Sequence, residues 1–229
     1  MSKVKKVGIV GWKTGDNSFG ATIPYLSMIS NMGATPLILS PSEEVEDVDL
    51  LILPGGMDIN PATYNAVPSF HTSNTDVFKQ YFMEKTLAKY IERKIPIFGI
   101  CLGLQQIAVH FGGSMDQHFN SVWSKTRDEE TESLDLNTGV LQKMNPAVKW
   151  DHFNSPKNSF KVNSLHHQAV TSLPSGLIKV ATSKYYGNVE ALIHESLPIA
   201  AVQWHPEELV KFSGYADLVT TTLIKTITN

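Results

Sequence analysis

Only one cysteine, Cys101, occurs among the 229 residues, so no disulfide can close within the chain, and a lone thiol fits a reducing compartment. Charge is scarce as well: Asp, Glu, Lys and Arg make up 18% of the chain, against about 25% in an average soluble domain. The 19 Lys and Arg and 22 Asp and Glu leave a formal net charge of −3. No segment concentrates basic residues beyond Lys3-Val4-Lys5-Lys6, which argues against the basic stripe of a nucleic-acid surface. No apolar run approaches the ~18 residues that cross a bilayer. The start, Met1-Ser2-Lys3-Val4-Lys5-Lys6, leads into a strand-like segment where a secretory signal would place its apolar core. These absences predict a cytoplasmic protein without membrane or nucleic-acid partners. Apolar material is plentiful, at 42% of residues, enough for a sizeable core and too much for a disordered chain.

The pattern along the chain is an alternation of strands and helices. Val4 to Val10 is apolar and β-branched and ends at Gly11, as a buried first strand does. After polar turn residues from Lys13 to Ser18, the residues Phe19, Ile23, Leu26 and Ile29 recur at helical spacing up to Met32, with Gly33 as the stop and Pro24 near the first turn, where proline is tolerated. Pro36 to Leu39 and Leu50 to Leu53 read as strands. Met57 to Thr75 is a long polar loop, a length that in compact domains usually serves function. Asp76 caps a helix that runs to about Arg93, and Ile95 to Ile100 is a strand that enters Cys101 directly, with helical spacing resuming from Leu102 to Phe111. Ser114 to Phe160, including the charged run Arg127-Asp128-Glu129-Glu130, reads as hairpins and loops over one edge of the sheet. Three more strands are expected at Leu177 to Ala181, Val189 to His194 and Ile199 to Val202, and a closing helix at Gly214 to Ile227. Residues 1–229 are thus expected to form a single α/β domain with an appended antiparallel part.

Gly99-Ile100-Cys101-Leu102-Gly103 stands at a predicted strand-to-helix junction. Small residues on both sides of a nucleophile allow the sharp, strained turn that lifts a side chain above a sheet. The helix that follows contributes partial positive charge and free N–H groups, which favour a thiolate and a developing oxyanion. A cysteine nucleophile needs a base and a group to orient it. His205 and Glu207, two apart after a predicted strand, share a face in extended chain, so His205 is the candidate base and Glu207 its orienter. At Pro54-Gly55-Gly56 a strand ends in two glycines, and the N–H of Gly55 or, better placed, Gly56 joins that of Leu102 as a candidate oxyanion hole. His166 and His167 read either as substrate contacts or as plain structural polarity. Adjacent histidines point in different directions and lack accompanying thiol or carboxylate ligands, so no metal is expected. Trp12 and Gln105 are further candidates to line the cleft.

Pro54-Gly55-Gly56, Gly99-Ile100-Cys101-Leu102-Gly103-Leu104-Gln105 and Gln203-Trp204-His205-Pro206-Glu207 occur in that order. With them the chain resembles the class I glutamine amidotransferase-like superfamily over nearly all its length. More narrowly, Gly55-Gly56-Met57-Asp58-Ile59-Asn60-Pro61-Ala62-Thr63-Tyr64 and Val162-Asn163-Ser164-Leu165-His166-His167-Gln168 resemble the γ-glutamyl hydrolase branch, especially enzymes that cleave γ-glutamyl-γ-aminobutyrate. The resemblance implies a three-layer open sheet, mostly parallel, with a flavodoxin-like core. It implies a Cys101, His205, Glu207 triad, an oxyanion hole at Gly56 and Leu102, and substrate contacts at Gly55, Gln105, His166 and His167. The implied reaction cleaves a small γ-glutamyl amide through a γ-glutamyl thioester, with no cofactor and no metal, releasing glutamate and an amine. Two positions depart from the γ-aminobutyrate-type pattern. Leu102 stands where those enzymes usually have Arg, as in ammonia-transferring glutaminases, and Thr75-Asp76 stands where they tend to have Arg-Asp. The leaving amine therefore stays open, as does the choice between an independent hydrolase, which could form a homodimer, and a glutaminase subunit serving a separate synthase partner.

Overall fold

In chain order the elements are β1 (Lys6–Val10), β2 (Trp12–Gly15), β3 (Ser18–Gly20), α1 (Ile23–Asn31), β4 (Thr35–Leu39), β5 (Leu50–Leu53), α2 (Val77–Lys85), α3 (Leu87–Glu92), β6 (Ile97–Ile100), α4 (Leu102–His110), β7 (Ser114–Asp116), β8 (Thr131–Leu136), α5 (Thr138–Met144), β9 (Phe160–Asn163), β10 (Ala169–Ser172), β11 (Leu177–Ser183), β12 (Val189–His194), β13 (Ile199–Val202) and α6 (Gly214–Thr228). Short 3-10 turns lie at Pro61–Tyr64 and Pro206–Lys211. The structure, a computed structural model, describes residues 4–40, 42, 44–73, 75–119, 131–147, 149, 160–211 and 214–229.

A nine-stranded sheet in the order β4-β1-β5-β6-β13-β12-β11-β8-β9 organises the molecule. From β4 to β13 the neighbours pair in parallel. Counted along the chain, these parallel strands have the order 2-1-3-4-5 of a flavodoxin-like sheet. The remaining strands extend it antiparallel. The fold is thus the α/β open sheet with an antiparallel addition that the pattern predicts. Central parallel strands lie between helices and must be apolar on both faces, and β5, β6 and β13 are buried at every position. Their side chains alternate between two cores. Leu50, Ile52, Phe98, Ile100, Ala200 and Val202 pack in one cluster with Tyr25, Ile29, Val219 and Leu223 of α1 and α6. Leu51, Leu53, Ile97, Ile199 and Ala201 pack in the other with Phe82, Leu87, Leu104 and Ile107 of α2, α3 and α4.

Several local readings change. Phe19, expected in the first helix, lies instead in β3, which pairs antiparallel with β2. Its edge-to-face contact with Phe78 accounts for an apolar residue that helical spacing alone misassigned. The helix expected from Asp76 to Arg93 breaks at Thr86, whose hydroxyl donates to the Ser42 carbonyl. The Asp76 cap itself is present, accepting from Phe78 N at 2.9 Å and Lys79 N at 3.1 Å. Within Ser114 to Phe160 the described residues supply β8 as a strand of the main sheet and the helix α5, capped by Asn137. Pairing with β9 and β11 makes β8 part of the sheet, not a cover over its edge. The run Arg127 to Glu130 lies outside the described residues. Among the described residues no helix is long and apolar enough to cross a membrane.

At the junction of β6 and α4 the backbones pass close to one another. A Cβ on Gly103 would sit 2.2 Å from the Leu53 carbonyl oxygen, and one on Gly99 would sit 2.7 Å from the Gly103 carbonyl. Only glycine lets α4 start this close to the strand pair. Because the obstacle at Gly103 is backbone, Gly103→Ala is expected to cost about 2 kcal/mol or more of stability, in the range of overpacked cores. Urea denaturation reads this directly, and an unchanged midpoint contradicts the close approach.

Candidate active site

The adjacent parallel strands β5, β6 and β13 end side by side, in the register Leu53↔Gly99 and Val202↔Ile100. The segments that follow them, Pro54-Gly55-Gly56, Cys101 and Gln203 to Glu207, therefore meet at the carboxyl edge of the sheet, where open α/β sheets bind ligands. Cys101 has φ 51° and ψ −104°, a conformation that costs a non-glycine residue about 1–3 kcal/mol. Its N–H donates to Val202 O at 2.9 Å, and its carbonyl accepts from Leu104 N at 3.0 Å as α4 begins. The N–H groups of Leu102 and Gly103, first in that helix, have no intrahelical acceptor. Gln203, fully buried, donates its Nε2 to Cys101 Sγ at 3.5 Å.

His205 follows β13. Its Nδ1 lies 2.6 Å from Glu207 Oε1. Asn163, at the end of β9, holds the His205 backbone at both groups: Nδ2 donates to the His205 carbonyl at 3.0 Å, and Oδ1 accepts from the His205 N–H at 2.9 Å. Burial pulls the His205 pKa down, but the charge of Cys101 and a hydrogen bond to it, with the same two effects from Glu207, raise it well above the usual histidine value. The charged imidazolium form of His205 is thus favoured. Tyr25 supports the carboxylate from α1. Its pKa is raised well above the usual phenol value by burial and by the charge of Glu207 and a hydrogen bond to it. The same hydroxyl accepts from Gly55 N at 2.8 Å.

The candidate oxyanion-hole residues are neighbours, since a Cβ on Gly56 would come within 2.9 Å of Leu102 Cδ2. One on Gly55 would come within 2.6 Å of His205 Cε1 and 3.4 Å of Cys101 Cβ. Gln105 is buried, with Nε2 donating to Gln168 O at 3.1 Å and to Gln203 Oε1 at 3.4 Å. His166 is buried too, Nδ1 on Gln168 O at 2.9 Å and Nε2 3.8 Å from Glu190 Oε1. Gln105 and His166 thus sit in a polar network behind the thiol, while His167 is partly exposed with Nε2 2.8 Å from Asp58 Oδ1. Trp12 packs edge-to-face on Tyr25. Among the described residues no group of His, Cys, Asp or Glu is arranged to hold a metal ion.

Sequence reasoning missed Tyr25, Lys79 and the roles of Asn163 and Gln203. For Lys79 a signal existed: it is three and four residues before Phe82 and Met83, on the buried face of α2, where a solvent-facing lysine does not belong.

A family model described as Peptidase C26 matches residues 9–207. The chain is 30% identical over 200 residues to the glutamine amidotransferase-like protein YvdE of Lactococcus lactis, covering 80% of this chain and 78% of that protein. It is 35% identical over 132 residues to a glutamine-hydrolysing GMP synthase subunit of Thermococcus kodakarensis, covering 58% of this chain and 61% of that protein. Among solved structures, a GMP synthase subunit from Thermoplasma acidophilum superposes with a TM-score of 0.63 at 23% identity, over 99% of this chain and 96% of that one. A glutamine amidotransferase from Thermotoga maritima superposes at 0.56 with 17% identity, over 97% and 90%. At these identities the structural likeness speaks to the fold alone.

Burial lowers the His166 pKa from 6.5 to about 4, against the pull of its bond to Gln168. The unfolded chain takes up this proton near pH 6.5 and the folded chain only near pH 4. The group's contribution to stability is therefore complete above about pH 6.5 and falls away as the pH drops towards 4, by roughly 3 kcal/mol. His166→Asn keeps a donor for Gln168 and does not titrate. It is expected to flatten the acid limb of stability in urea titrations between about pH 7 and pH 4.5, and an unaltered slope contradicts a buried neutral ring.

Proposed function

The chain belongs to the Peptidase C26 family, and from that premise we propose that it hydrolyses γ-glutamyl amides, with Cys101 as nucleophile, His205 as acid and base, and Glu207 as the group that orients His205. The observation that carries this reading is the juxtaposition of a strained cysteine, at the start of a helix, with an imidazole held by Glu207 at 2.6 Å. Cys101 Sγ attacks the γ-carbonyl carbon, and the electron pair of the carbonyl moves to oxygen. The N–H groups of Leu102 and Gly56 receive that oxyanion. As the tetrahedral intermediate collapses, the C–N bond breaks and His205 gives its proton to the departing amine, leaving a γ-glutamyl thioester. His205, now neutral, takes a proton from water as it attacks the thioester; glutamate leaves and the thiolate returns. Gly55, Gln105, His166 and His167 belong to the substrate side of this reading, the buried pair acting through Gln203 and Gln168. A cytoplasmic setting belongs to it as well.

A second reading has an observation of its own. The Thermococcus relative is a glutamine-hydrolysing component of a GMP synthase, and Leu102 follows Cys101 here as in ammonia-transferring glutaminases. On that reading the chain hydrolyses glutamine and passes ammonia to a separate synthase. Glutamate release by the purified chain separates the two. Turnover of γ-glutamyl-γ-aminobutyrate, γ-glutamyl-putrescine or short poly-γ-glutamates without a partner supports the hydrolase. Activity confined to glutamine, and only with a synthase added, supports the synthase component.

For the active substrate of that panel, Cys101→Ala is expected to abolish turnover with the fold intact. His205→Asn should lower kcat at least ~100-fold, the lower end for general acid–base catalysis, and Glu207→Gln should cost less than either. Near-wild-type activity of Cys101→Ala overturns the assignment.

A further inference from the structure

Lys79, in the first turn of α2, is only 4% exposed. Lysines are almost never this buried unless their ammonium is engaged. Its Nζ donates to the Gly55 carbonyl oxygen and lies 4.2 Å from the centre of the Trp12 ring, a cation–π contact. A Cβ on Gly56 would come within 2.7 Å of the same nitrogen. The ammonium therefore sits directly behind the Gly55–Gly56 peptide. The same Cβ on Gly56 would come within 2.9 Å of Leu102 Cδ2, and one on Gly55 within 3.4 Å of Cys101 Cβ, so the two glycines also lie against the Cys101–Leu102 turn.

We propose that Lys79 is a positioning residue for the oxyanion hole: by holding the Gly55 carbonyl, it fixes the Gly55–Gly56 peptide with the Gly56 N–H turned towards the oxygen that develops on the Cys101-bound intermediate. The proposal rests on the thioester reading given above. A peptide unit between two glycines has no Cβ on either side to restrict its rotation, so its plane needs an external hold. Among the described residues there are no cis peptide bonds, and in a trans peptide the carbonyl and the following N–H point in opposite directions. Fixing the carbonyl oxygen on Lys79 therefore aims the Gly56 N–H away from the ammonium. The amide N–H of Gly55 is tied down in turn by the Tyr25 hydroxyl at 2.8 Å. A positive charge on the carbonyl oxygen also polarises the peptide and makes its N–H a stronger donor.

The ammonium titrates within reach of ordinary assays. Burial lowers the Lys79 pKa from 10.5 to about 8, while the charges of Asp76, Cys101 and Glu207 oppose that fall. The groups that bear on it are thus Asp76 at the cap of α2, Cys101 at the head of α4, and Glu207, paired with His205, after β13. A neutral amine grips a carbonyl less firmly than an ammonium does, so the hold weakens as the pH rises through about 8.

Lys79→Met removes the charge and the donor at nearly constant length. With γ-glutamyl p-nitroanilide or glutamine as substrate, whichever the wild-type chain turns over, kcat is expected to fall about 10- to 100-fold. Removing an oxyanion donor outright costs about 100- to 1,000-fold, so loss of its support should cost less. KM should stay within about three-fold. Alkylation of Cys101 by iodoacetamide, a displacement at carbon that builds no oxyanion, should stay within about two-fold of wild type. The ratio of wild-type to variant kcat should also shrink as the pH rises from about 7 to about 9.5. A variant with unimpaired kcat overturns the proposal, as does one whose alkylation falls in parallel with kcat, since Lys79 then serves the thiol or the fold. A ratio that does not change with pH overturns it too. If the wild-type chain turns over no γ-glutamyl amide, the thioester reading fails; if it is active and Lys79→Met matches it, the clamp alone fails.

Discussion

A cysteine held at φ 51° between a buried strand and a helix is a backbone that the rest of the structure must keep in place. The strain is opposed by two kinds of contact. The Cys101 N–H is bonded to Val202 O, which ties the turn to β13, and glycines at 99 and 103 bring α4 against β5 and β6 with no side chain in between. Both contacts depend on β5, β6 and β13 lying next to one another in parallel. Parallel neighbours end on the same edge, so the strand order that stabilises the turn also delivers His205 and the Gly55–Gly56 peptide to the sulfur.

Around this turn the supporting groups come from every layer. Tyr25 on α1 backs Glu207 and Gly55, Asn163 on β9 fixes the His205 backbone, and Gln203 on the end of β13 reaches Sγ. Trp12 touches both Tyr25 and the Lys79 ammonium. Hydrogen bonds link Gln105 to Gln203 and to the Gln168 backbone beside Cys101. Polar groups in a low-dielectric interior act strongly when satisfied and are costly when left open, so the bonds that satisfy these groups also hold their orientation.

What was legible in the sequence is what is encoded locally. Short apolar runs marked β5, which ends at Pro54, β6, which enters Cys101 directly, and β13, which ends at Val202. The cysteine between two glycines marked the turn, and the spacing of His205 and Glu207 marked a pair on one face. Lys79, Tyr25 and Asn163 were not legible in this way, because their roles come from pairings across 24, 30 and 42 residues of chain. Phe19 was misassigned for a related reason. Its apolar side chain answers to Phe78, far along the chain, and helical spacing to Ile23 was coincidental. The sheet membership of β8 is likewise set by long-range pairing with β9 and β11, which no local pattern announces.

The central claim is that the sulfur of Cys101 is the atom that bonds to the glutamyl carbon. A glutamine-like diazoketone, which alkylates the nucleophile of an enzyme that binds glutamyl groups, tests it directly when the labelled chain is digested and mapped by mass spectrometry. The account predicts one label, on Cys101, formed in step with loss of turnover and slowed by substrate. Inactivation that leaves Cys101 unmodified, or a label on another residue, would contradict it.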